Sequence, residues 1–278
     1  MVLTIDAGNT KTKWALFDAS GNIRHQAACL NAEITTAKLL PDTLTCTQIV
    51  ISNVAGAQHA EQLQQRIQPY QIAATWVNSS KQAANVINNY AKPESLGTDR
   101  WAALIAAWHL QQASCVVVNA GTATTIDAVI HHEADGITHG EFIGGMILPG
   151  IALMQTSLGT ATAQLPKTAA TAGQPESATI QPFATSTGDA IYSGAIHATL
   201  GAITQMLQAV EQQGQTPTLI LSGGNAGVLQ QAITQQDSSY RATLHGKKTV
   251  TIVDNLVLQG LYLLAQPAIN NNSSSTSS

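Results

Sequence analysis

The residues of this chain that could do chemistry lie in a few short polar segments, the first of them near the N-terminus. There Asp6-Ala7-Gly8-Asn9-Thr10 follows an apolar run at residues 2–5. Gly8 lets a ligand approach the main chain closely, and Asn9 and Thr10 supply hydrogen-bond donors. Asp6, at the end of a strand, can hold a hydrated divalent cation. A hairpin turn without a ligand uses the same residue types, so this segment alone allows a phosphate-binding loop or an ordinary turn.

A second segment, Leu96-Gly97-Thr98-Asp99-Arg100, begins a helix whose apolar residues Trp101, Leu104, Ile105 and Trp108 share one face. Asp99 stands where a helix N-cap belongs, and capping would explain it. Its carboxylate could equally accept a proton from a substrate hydroxyl, while Arg100 could bind an anion. The two roles are compatible.

The opening pattern then returns half a chain later. Residues 115–118 form an apolar run that leads into Asn119-Ala120-Gly121-Thr122-Ala123-Thr124-Thr125. Two such loops, each after a strand, predict duplicated domains that face each other across a cleft. A third glycine-rich turn, Ser222-Gly223-Gly224-Asn225, is either a strand-to-helix loop or a contact for a nucleotide base or ribose. His131-His132-Glu133 lacks a further ligand at metal-site spacing, which favours a solvated turn.

The elements that must position these segments follow from hydrophobic periodicity and turn residues. We predict strands at residues 2–5, 12–17, 22–29, 48–52, 74–77, 115–118, 126–130, 142–148, 218–221 and 250–253. Helices are predicted at residues 57–67, from Asp99, from Pro149, from a cap at Ser186 or Thr187 to Gly214, at 226–234, and from a cap at Asp254 to Leu264. Exposed loops are expected at residues 88–95, 131–139 and 159–185. The stripe of Ile196, Leu200, Ile203, Leu207 and Val210 is either core or a subunit contact.

Composition limits the possible functions. Of the 278 residues, 44% are hydrophobic and only 10% charged, which indicates a globular chain. The net charge of −4 and the 12 scattered Lys and Arg residues argue against nucleic-acid binding. No signal peptide or membrane span is recognisable. Cys29, Cys46 and Cys115 suit neither a disulfide framework nor a zinc site, so we expect a cytoplasmic protein.

Five motifs, in order, resemble those of type III pantothenate kinases, within the wider group of actin, hexokinase and Hsp70 ATPases. They are Asp6-Ala7-Gly8-Asn9-Thr10-Lys11-Thr12-Lys13-Trp14, Gly97-Thr98-Asp99-Arg100-Trp101, Asn119-Ala120-Gly121-Thr122-Ala123-Thr124, Gly144-Gly145-Met146-Ile147-Leu148-Pro149-Gly150 and Ser186-Thr187-Gly188-Asp189-Ala190-Ile191. The resemblance implies an α/β fold of the actin-like ATPase type (ASKHA, ribonuclease H-like), with two duplicated domains around a central cleft. We expect subdomains at residues 1–113 and 114–266 and a disordered tail at 267–278.

The same resemblance implies ATP-dependent phosphorylation of pantothenate to 4'-phosphopantothenate, the first step of coenzyme A biosynthesis. It implies a homodimer that needs Mg²⁺ and a monovalent cation, K⁺ or NH₄⁺. The implied general base is Asp99, and phosphoryl transfer otherwise needs positioning and charge neutralisation. The implied ATP-binding residues are Asp6 (also near Mg²⁺), Ala7, Gly8, Asn9, Thr10, Lys11, Thr12, Lys13 and Thr122. The implied pantothenate-binding residues are Tyr90, Gly97, Thr98, Asp99, Arg100 and Thr187, and the resemblance allows Thr187 to reach the substrate across the dimer.

One position departs from the family pattern. The family usually has Asp where this chain has Asn119, a neutral residue that binds cations more weakly than a carboxylate does. Asp127, further along the next strand, is not expected to replace it. We therefore predict altered binding of the monovalent cation at Asn119.

The sequence leaves other functions open. The family includes proteins described as accessory activators of virulence-gene transcription, so a non-catalytic regulator of transcription is the alternative. The retained residues Asp6, Asp99, Arg100 and Thr122 favour catalysis. A related sugar or acetate kinase fits residues 97–100 less well, and an actin-like filament protein fits the chain length least.

Overall fold

The computed structural model describes residues 1–134, 136–161, 180–235 and 250–266. Most of the loop predicted at 159–185 lies outside the described residues, and so does the tail predicted at 267–278. In the described part of the chain, no helix combines the length and apolar character that a membrane crossing requires.

The chain is an α/β protein with two mixed β-sheets. Its strands are β1 Val2–Ala7, β2 Lys11–Phe17, β3 Ile23–Leu30, β4 Gln48–Asn53, β5 Ala74–Trp76, β6 Gln82–Ala83, β7 Val86–Asn88, β8 Cys115–Ala120, β9 Ala123–Ala134, β10 Ile137–Pro149, β11 Thr218–Ser222 and β12 Val250–Ile252. Its α-helices are α1 Ala57–Ile67, α2 Thr98–Gln111, α3 Ile151–Ala161, α4 Thr187–Gln212, α5 Ala226–Gln235 and α6 Leu256–Leu264. Each strand predicted from the sequence is present, most of them extended by one or more residues.

The described residues divide into two compact units. The first unit contains residues 1–112, 131–134, 136–143 and 255–266, and the second contains residues 113–130, 144–161, 180–235 and 250–254. Strands β9 and β10 each pass from one unit into the other. The division into subdomains 1–113 and 114–266, with a cleft between them, stays a prediction.

The first unit is built on a five-stranded sheet in the order β3-β2-β1-β4-β5. Strand β1 is antiparallel to β2 and parallel to β4. Leu3 and Ile5 of β1 join a buried cluster with Leu63 and Ile67 of α1. Because side chains alternate along a strand, Asp6 projects from the opposite face of the sheet. That is the face against which α2 and α6 pack.

Helix α2 is buried on all sides. Every residue from Arg100 to Trp108 is buried. The buried surface of this helix is therefore not confined to the single apolar face predicted from the sequence. Helix α6 approaches α2 so closely that a Cβ at Gly260 would clash with the main-chain oxygen of Ala102. The start of α2 is therefore fixed by a rigid helix pair.

The second unit contains β8 between antiparallel β9 and parallel β11, and β12 lies parallel to β11. The apolar stripe of α4 is fully buried within this unit, which makes it core and leaves none of it for a subunit contact. Ser186 is the N-cap of α4, as predicted, and its hydroxyl accepts a hydrogen bond from the Asp189 amide.

Two predicted loops were partly wrong. Asn88 lies in β7 and is fully buried, although we expected an exposed loop there. Its carboxamide donates to the main-chain oxygens of Ser80 and Pro93, which offsets the cost of burial. The polar residues of the predicted connection at 131–139 instead extend β9 to Ala134 and begin β10 at Ile137.

Two predicted helix starts were also wrong. Pro149 ends β10, and α3 begins only at Ile151. The N-cap of α6 is Asn255, which has a left-handed φ of +57°, instead of Asp254. Asn tolerates this region of φ better than most residues do.

Candidate active site

The first candidate site residue, Asp6, lies near the end of β1. In the sheet it pairs with Lys13 on one side and Ser52 on the other, so the three side chains share a face. Its Oδ1 atom is buried and has no hydrogen-bond partner among the described residues. Burial raises the pKa of Asp6 to about 7; the Asp99 carboxylate adds to this rise, and Lys13 opposes it.

Helix α2 brings Asp99 to this point. The hydroxyls of Ser52, at the end of β4, and Thr98, the first residue of α2, lie 2.8 Å apart and join the two elements. The N-cap of α2 is Gly97, so the prediction that Asp99 caps the helix was wrong. Asp99 is instead the second helical residue, and its Oδ1 accepts a hydrogen bond of 2.8 Å from the Arg100 amide. Burial raises the pKa of Asp99, although that amide and the Arg100 charge act against the rise.

Arg100 is buried, with only 5% of its surface exposed, and it lies beside two aromatic rings. Its Nη1 donates a 2.7 Å hydrogen bond to the Tyr90 hydroxyl. The guanidinium carbon lies 5.4 Å from the Tyr90 ring centroid and 5.8 Å from that of Phe142, distances at which a cation is attracted to aromatic rings. Phe142 was not among the predicted site residues. It is 42 residues from Arg100 in sequence, and no local pattern indicates the contact.

The segment that carries Tyr90 is held by β10. The Asn89 amide donates a 3.0 Å hydrogen bond to the Phe142 main-chain oxygen. The Asn89 side chain donates to Glu141, and Glu141 also pairs with His132 at 2.6 Å. These contacts make Tyr90 part of a fixed surface in the first unit.

The predicted ATP-binding residues of the N-terminus occupy the hairpin between β1 and β2. The Gly8 amide donates to the Lys11 main-chain oxygen at 3.2 Å and closes the turn. Asn9, Thr10 and Lys11 are exposed, whereas Ala7 and Thr12 are fully buried. We call residues 8–11 the hairpin tip.

In the second unit, the loop after β8 presents Thr122, which is exposed. Two glycines from distant segments pack against this loop. The Gly150 amide donates to the Thr122 main-chain oxygen at 2.9 Å, and a Cβ at Gly223 would lie 2.6 Å from the Ala120 oxygen. The segments at residues 119–125, 144–150 and 222–225, recognised separately in the sequence, thus meet at one place. Asn119, whose pairing partners in the sheet are Ser222 and Thr125, is half-buried at the base of the loop.

Thr187, the last predicted substrate residue, lies elsewhere in the second unit. It is exposed in the first turn of α4 and lines a surface cavity of about 550 Å³ together with Met154 and Leu158 of α3. No contact that the structure describes links Thr187 to Thr122.

Comparison with known proteins identifies the family. The model of the type III pantothenate kinase family matches residues 2–209. This chain belongs to that family. It is 38% identical over 264 residues to the type III pantothenate kinase of Methylobacillus flagellatus, covering 95% of this chain and 97% of the relative. It is 35% identical to that of Nitrosospira multiformis, covering 96% and 91%.

Solved structures share the fold. A Campylobacter jejuni protein described as a conserved Baf family transcriptional activator has a TM-score of 0.54 at 19% identity, with 94% of this chain and 96% of that chain covered. The ethanolamine utilization protein EutJ from Carboxydothermus hydrogenoformans has a TM-score of 0.53 at 14% identity, with 94% and 89% covered. At these identities the likeness concerns the fold alone. The predicted α/β class is confirmed, with two mixed sheets.

The carboxylate of Asp6 is a suitable ligand for magnesium. Mg²⁺ usually keeps several waters and binds one or two carboxylates together with substrate phosphates. The unpartnered, buried Oδ1 of Asp6 fits such a ligand. Among the described residues, no three His, Cys, Asp or Glu side chains are grouped so as to hold a metal ion, and this includes His131, His132 and Glu133.

Proposed function

We propose that this protein transfers the γ-phosphoryl group of ATP to the terminal hydroxyl of pantothenate, giving 4'-phosphopantothenate and ADP. The observation that carries the proposal is that the Ser52–Thr98 hydrogen bond joins the end of β4, where Ser52 pairs with Asp6, to the start of α2, which carries Asp99 and Arg100. Asp99 accepts the hydroxyl proton as the hydroxyl oxygen attacks the phosphorus atom. A carboxylate whose pKa is raised by burial is a stronger base than an exposed one, which suits this role.

Arg100 gives the site its preference for an acidic substrate. Its guanidinium is buried and oriented by Tyr90 and Phe142. A buried arginine is well suited to bind the pantothenate carboxylate, because a charge-assisted hydrogen bond is stronger than a neutral one. Tyr90, Gly97, Thr98 and Thr187 are the remaining proposed pantothenate contacts.

The nucleotide is proposed to bind at the N-terminal hairpin and at the loop after β8. The ATP-binding residues are Asp6 to Lys13 and Thr122. Asp6 would hold Mg²⁺, which neutralises phosphate charge during phosphoryl transfer. Lys13, the cross-strand neighbour of Asp6, adds a positive charge on the same face.

Asn119 is proposed as the site of the monovalent cation. A neutral carboxamide offers one oxygen and no charge, so we expect Asn119→Asp to strengthen the dependence on K⁺. Turnover is titrated with K⁺ or NH₄⁺ for both proteins. An unchanged titration curve would count against a cation at this position.

We further propose that the protein is a homodimer. Leu153 and Leu158 of α3 are 48% and 42% exposed, and Leu158 lines the cavity beside Thr187. A second copy that covers this face would bury apolar surface next to a proposed substrate residue. Size-exclusion chromatography with light scattering tests this, and Leu158→Glu should give monomers. A cytoplasmic location, without nucleic-acid or membrane partners, stays a prediction.

ADP release tests the main proposal. Purified protein with MgATP should release ADP only when pantothenate is added, and Asp99→Asn should lower kcat by roughly 10²- to 10⁴-fold. Asn keeps an oxygen that can accept the Arg100 amide, so thermal stability should change little. Turnover without pantothenate dependence, or an active Asp99→Asn variant, would refute the assignment.

A further inference from the structure

A hydrogen-bond network beneath the hairpin tip involves a residue that no sequence motif indicated. Asn31 follows β3, and its Nδ2 donates to the Gly8 main-chain oxygen at 2.8 Å. Its main-chain amide donates to the Thr10 oxygen at 3.1 Å. One residue thus fixes two carbonyl groups of the tip, 23 and 21 positions before it in sequence.

The orientation of the Asn31 carboxamide is itself fixed. Thr12, which is fully buried, donates its hydroxyl proton to Asn31 Oδ1 at 2.9 Å. The Thr12 oxygen also lies 2.7 Å from Nε2 of His59 in α1. Because a hydroxyl has only one proton, His59 must donate Nε2–H to Thr12. The hydrogen bonds therefore all point the same way: His59 donates to Thr12, and Thr12 donates to Asn31 Oδ1. This leaves Asn31 Nδ2 to donate to Gly8.

This arrangement sets the direction of the peptide group after Gly8. In a planar trans peptide the C=O and N–H bonds point in opposite directions. Since Asn31 holds the Gly8 C=O, the Asn9 N–H points away from Asn31. Asn9 and Thr10 are exposed, so the tip presents this donor outward. Fixed main-chain N–H groups of this kind bind phosphate oxygens.

We propose that Asn31 is a positioning residue for the phosphates of ATP, and that Thr12 and His59 hold its carboxamide in the required orientation. This inference rests on the proposed function, because it takes the hairpin tip as a phosphate-binding loop. Thr12 then acts through its buried hydroxyl, beneath the tip, and not through a side-chain contact with the nucleotide.

Two neutral variants test the proposal. Asn31→Ala removes the bond to Gly8 without adding charge, and the KM for ATP should rise about tenfold, the effect of losing about one hydrogen bond. The KM for pantothenate should change less than twofold. Asn22→Ala is the matched control, because Asn22 is an exposed residue in the turn between β2 and β3, where its side chain donates to the Asp18 carboxylate. Its KM for ATP should equal that of the wild type.

His59 supplies an independent test, because it touches Thr12 beneath the tip. His59→Leu cannot donate to Thr12, whereas His59→Gln can donate from its amide. The Leu variant should raise the KM for ATP several-fold. The Gln variant should keep the KM for ATP close to the wild-type value. This pair decides the matter if Asn31→Ala does not fold. Equal KM values for ATP in the two His59 variants, or equal losses for both substrates, would show a merely structural role and overturn the proposal.

A binding measurement separates this inference from the proposed reaction. The shift in Tm caused by MgATP is recorded for the wild type and for Asn31→Ala without pantothenate. A wild type that binds MgATP more strongly than the variant supports the role of Asn31, even if pantothenate is not the acceptor. Equal binding by both proteins would overturn it, and so would a wild type that binds no MgATP.

Discussion

Gly97→Ala should move the proposed general base without changing its chemistry. Gly97 has φ −54° and ψ 133°, a backbone conformation open to any residue, so alanine fits without strain. Its new Cβ would lie only 2.6 Å from Asp99 Oδ1, whereas ordinary contact begins at 3.4 Å. The carboxylate must therefore shift by roughly 0.8 Å, since the methyl group is fixed to the main chain.

The expected cost follows from this displacement. A shift of about 1 Å in a reacting group can lower the rate by about a hundredfold. We therefore expect kcat for pantothenate phosphorylation to fall roughly ten- to a hundredfold, less than for Asp99→Asn. The assay measures ADP release at saturating substrates, together with thermal unfolding to show that the variant is folded.

Two controls sharpen the test. Gly201→Ala, in α4, places a methyl group where no atom lies within 4 Å, and its activity should equal that of the wild type. In an Asp99→Asn background, Gly97→Ala should add little further loss, because both changes act on the same group. A kcat within twofold of the wild type would refute the reasoning. A raised KM for pantothenate with unchanged kcat would mean that the methyl group crowds the substrate instead.

Three other variants follow from the same site and its supports. Asp6→Asn should stabilise the metal-free protein. The folded-state pKa of Asp6, about 7, exceeds its ordinary value of 3.8, so the wild type loses stability as the pH rises from about 4 to 7, by up to roughly 4 kcal/mol. Calorimetry in EDTA at pH 8 should therefore give Asp6→Asn the higher Tm, although it is inactive; a lower Tm would contradict this. Arg100→Lys should raise the KM for pantothenate at least tenfold and leave that for ATP unchanged, because ammonium cannot reproduce the guanidinium contacts with Tyr90 and Phe142. Equal changes in both KM values would argue against a carboxylate site. Gly260→Ala should destabilise the fold by about 3 kcal/mol in urea unfolding, since its methyl group meets the main chain of α2. A midpoint like that of Gly201→Ala would disprove this packing.

The sequence predicted those features that depend on neighbouring residues. The strands of the first hairpin were recognisable because apolar runs flank a Gly-Asn turn, and Ser186 was recognisable as a cap because it precedes a periodic helix. Asn88 was mistaken for an exposed residue, because its carboxamide finds partners at Ser80 and Pro93 only in the folded chain. Whether a polar side chain can be buried depends on its hydrogen-bond partners. Partners that are distant in sequence leave no signal in the neighbouring residues.

The same limit applies to the residues that hold the site in place. Asp6, Asp99 and Arg100 stand in compact motifs, and their chemistry was evident from their types and spacing. Their supports come from elsewhere in the chain: Phe142 beside Arg100, Asn31 and His59 beneath the hairpin tip, and Gly260 against α2. The sequence around each of these four residues contains no pattern that indicates its role.

There is an energetic reason why the supporting residues lie far in sequence from the residues that they position. Phosphoryl transfer gains more from fixed positions than from the number of reacting groups, and fixing a group requires contacts from several directions. Contacts along one strand or helix restrain a side chain from one direction only. Elements far apart in sequence must supply the others, as α6 does for α2 and the residue after β3 does for the hairpin tip. Substitutions at Asn31 and Gly260 should therefore alter the kinase as strongly as many changes within its recognisable motifs, through position and stability instead of chemistry.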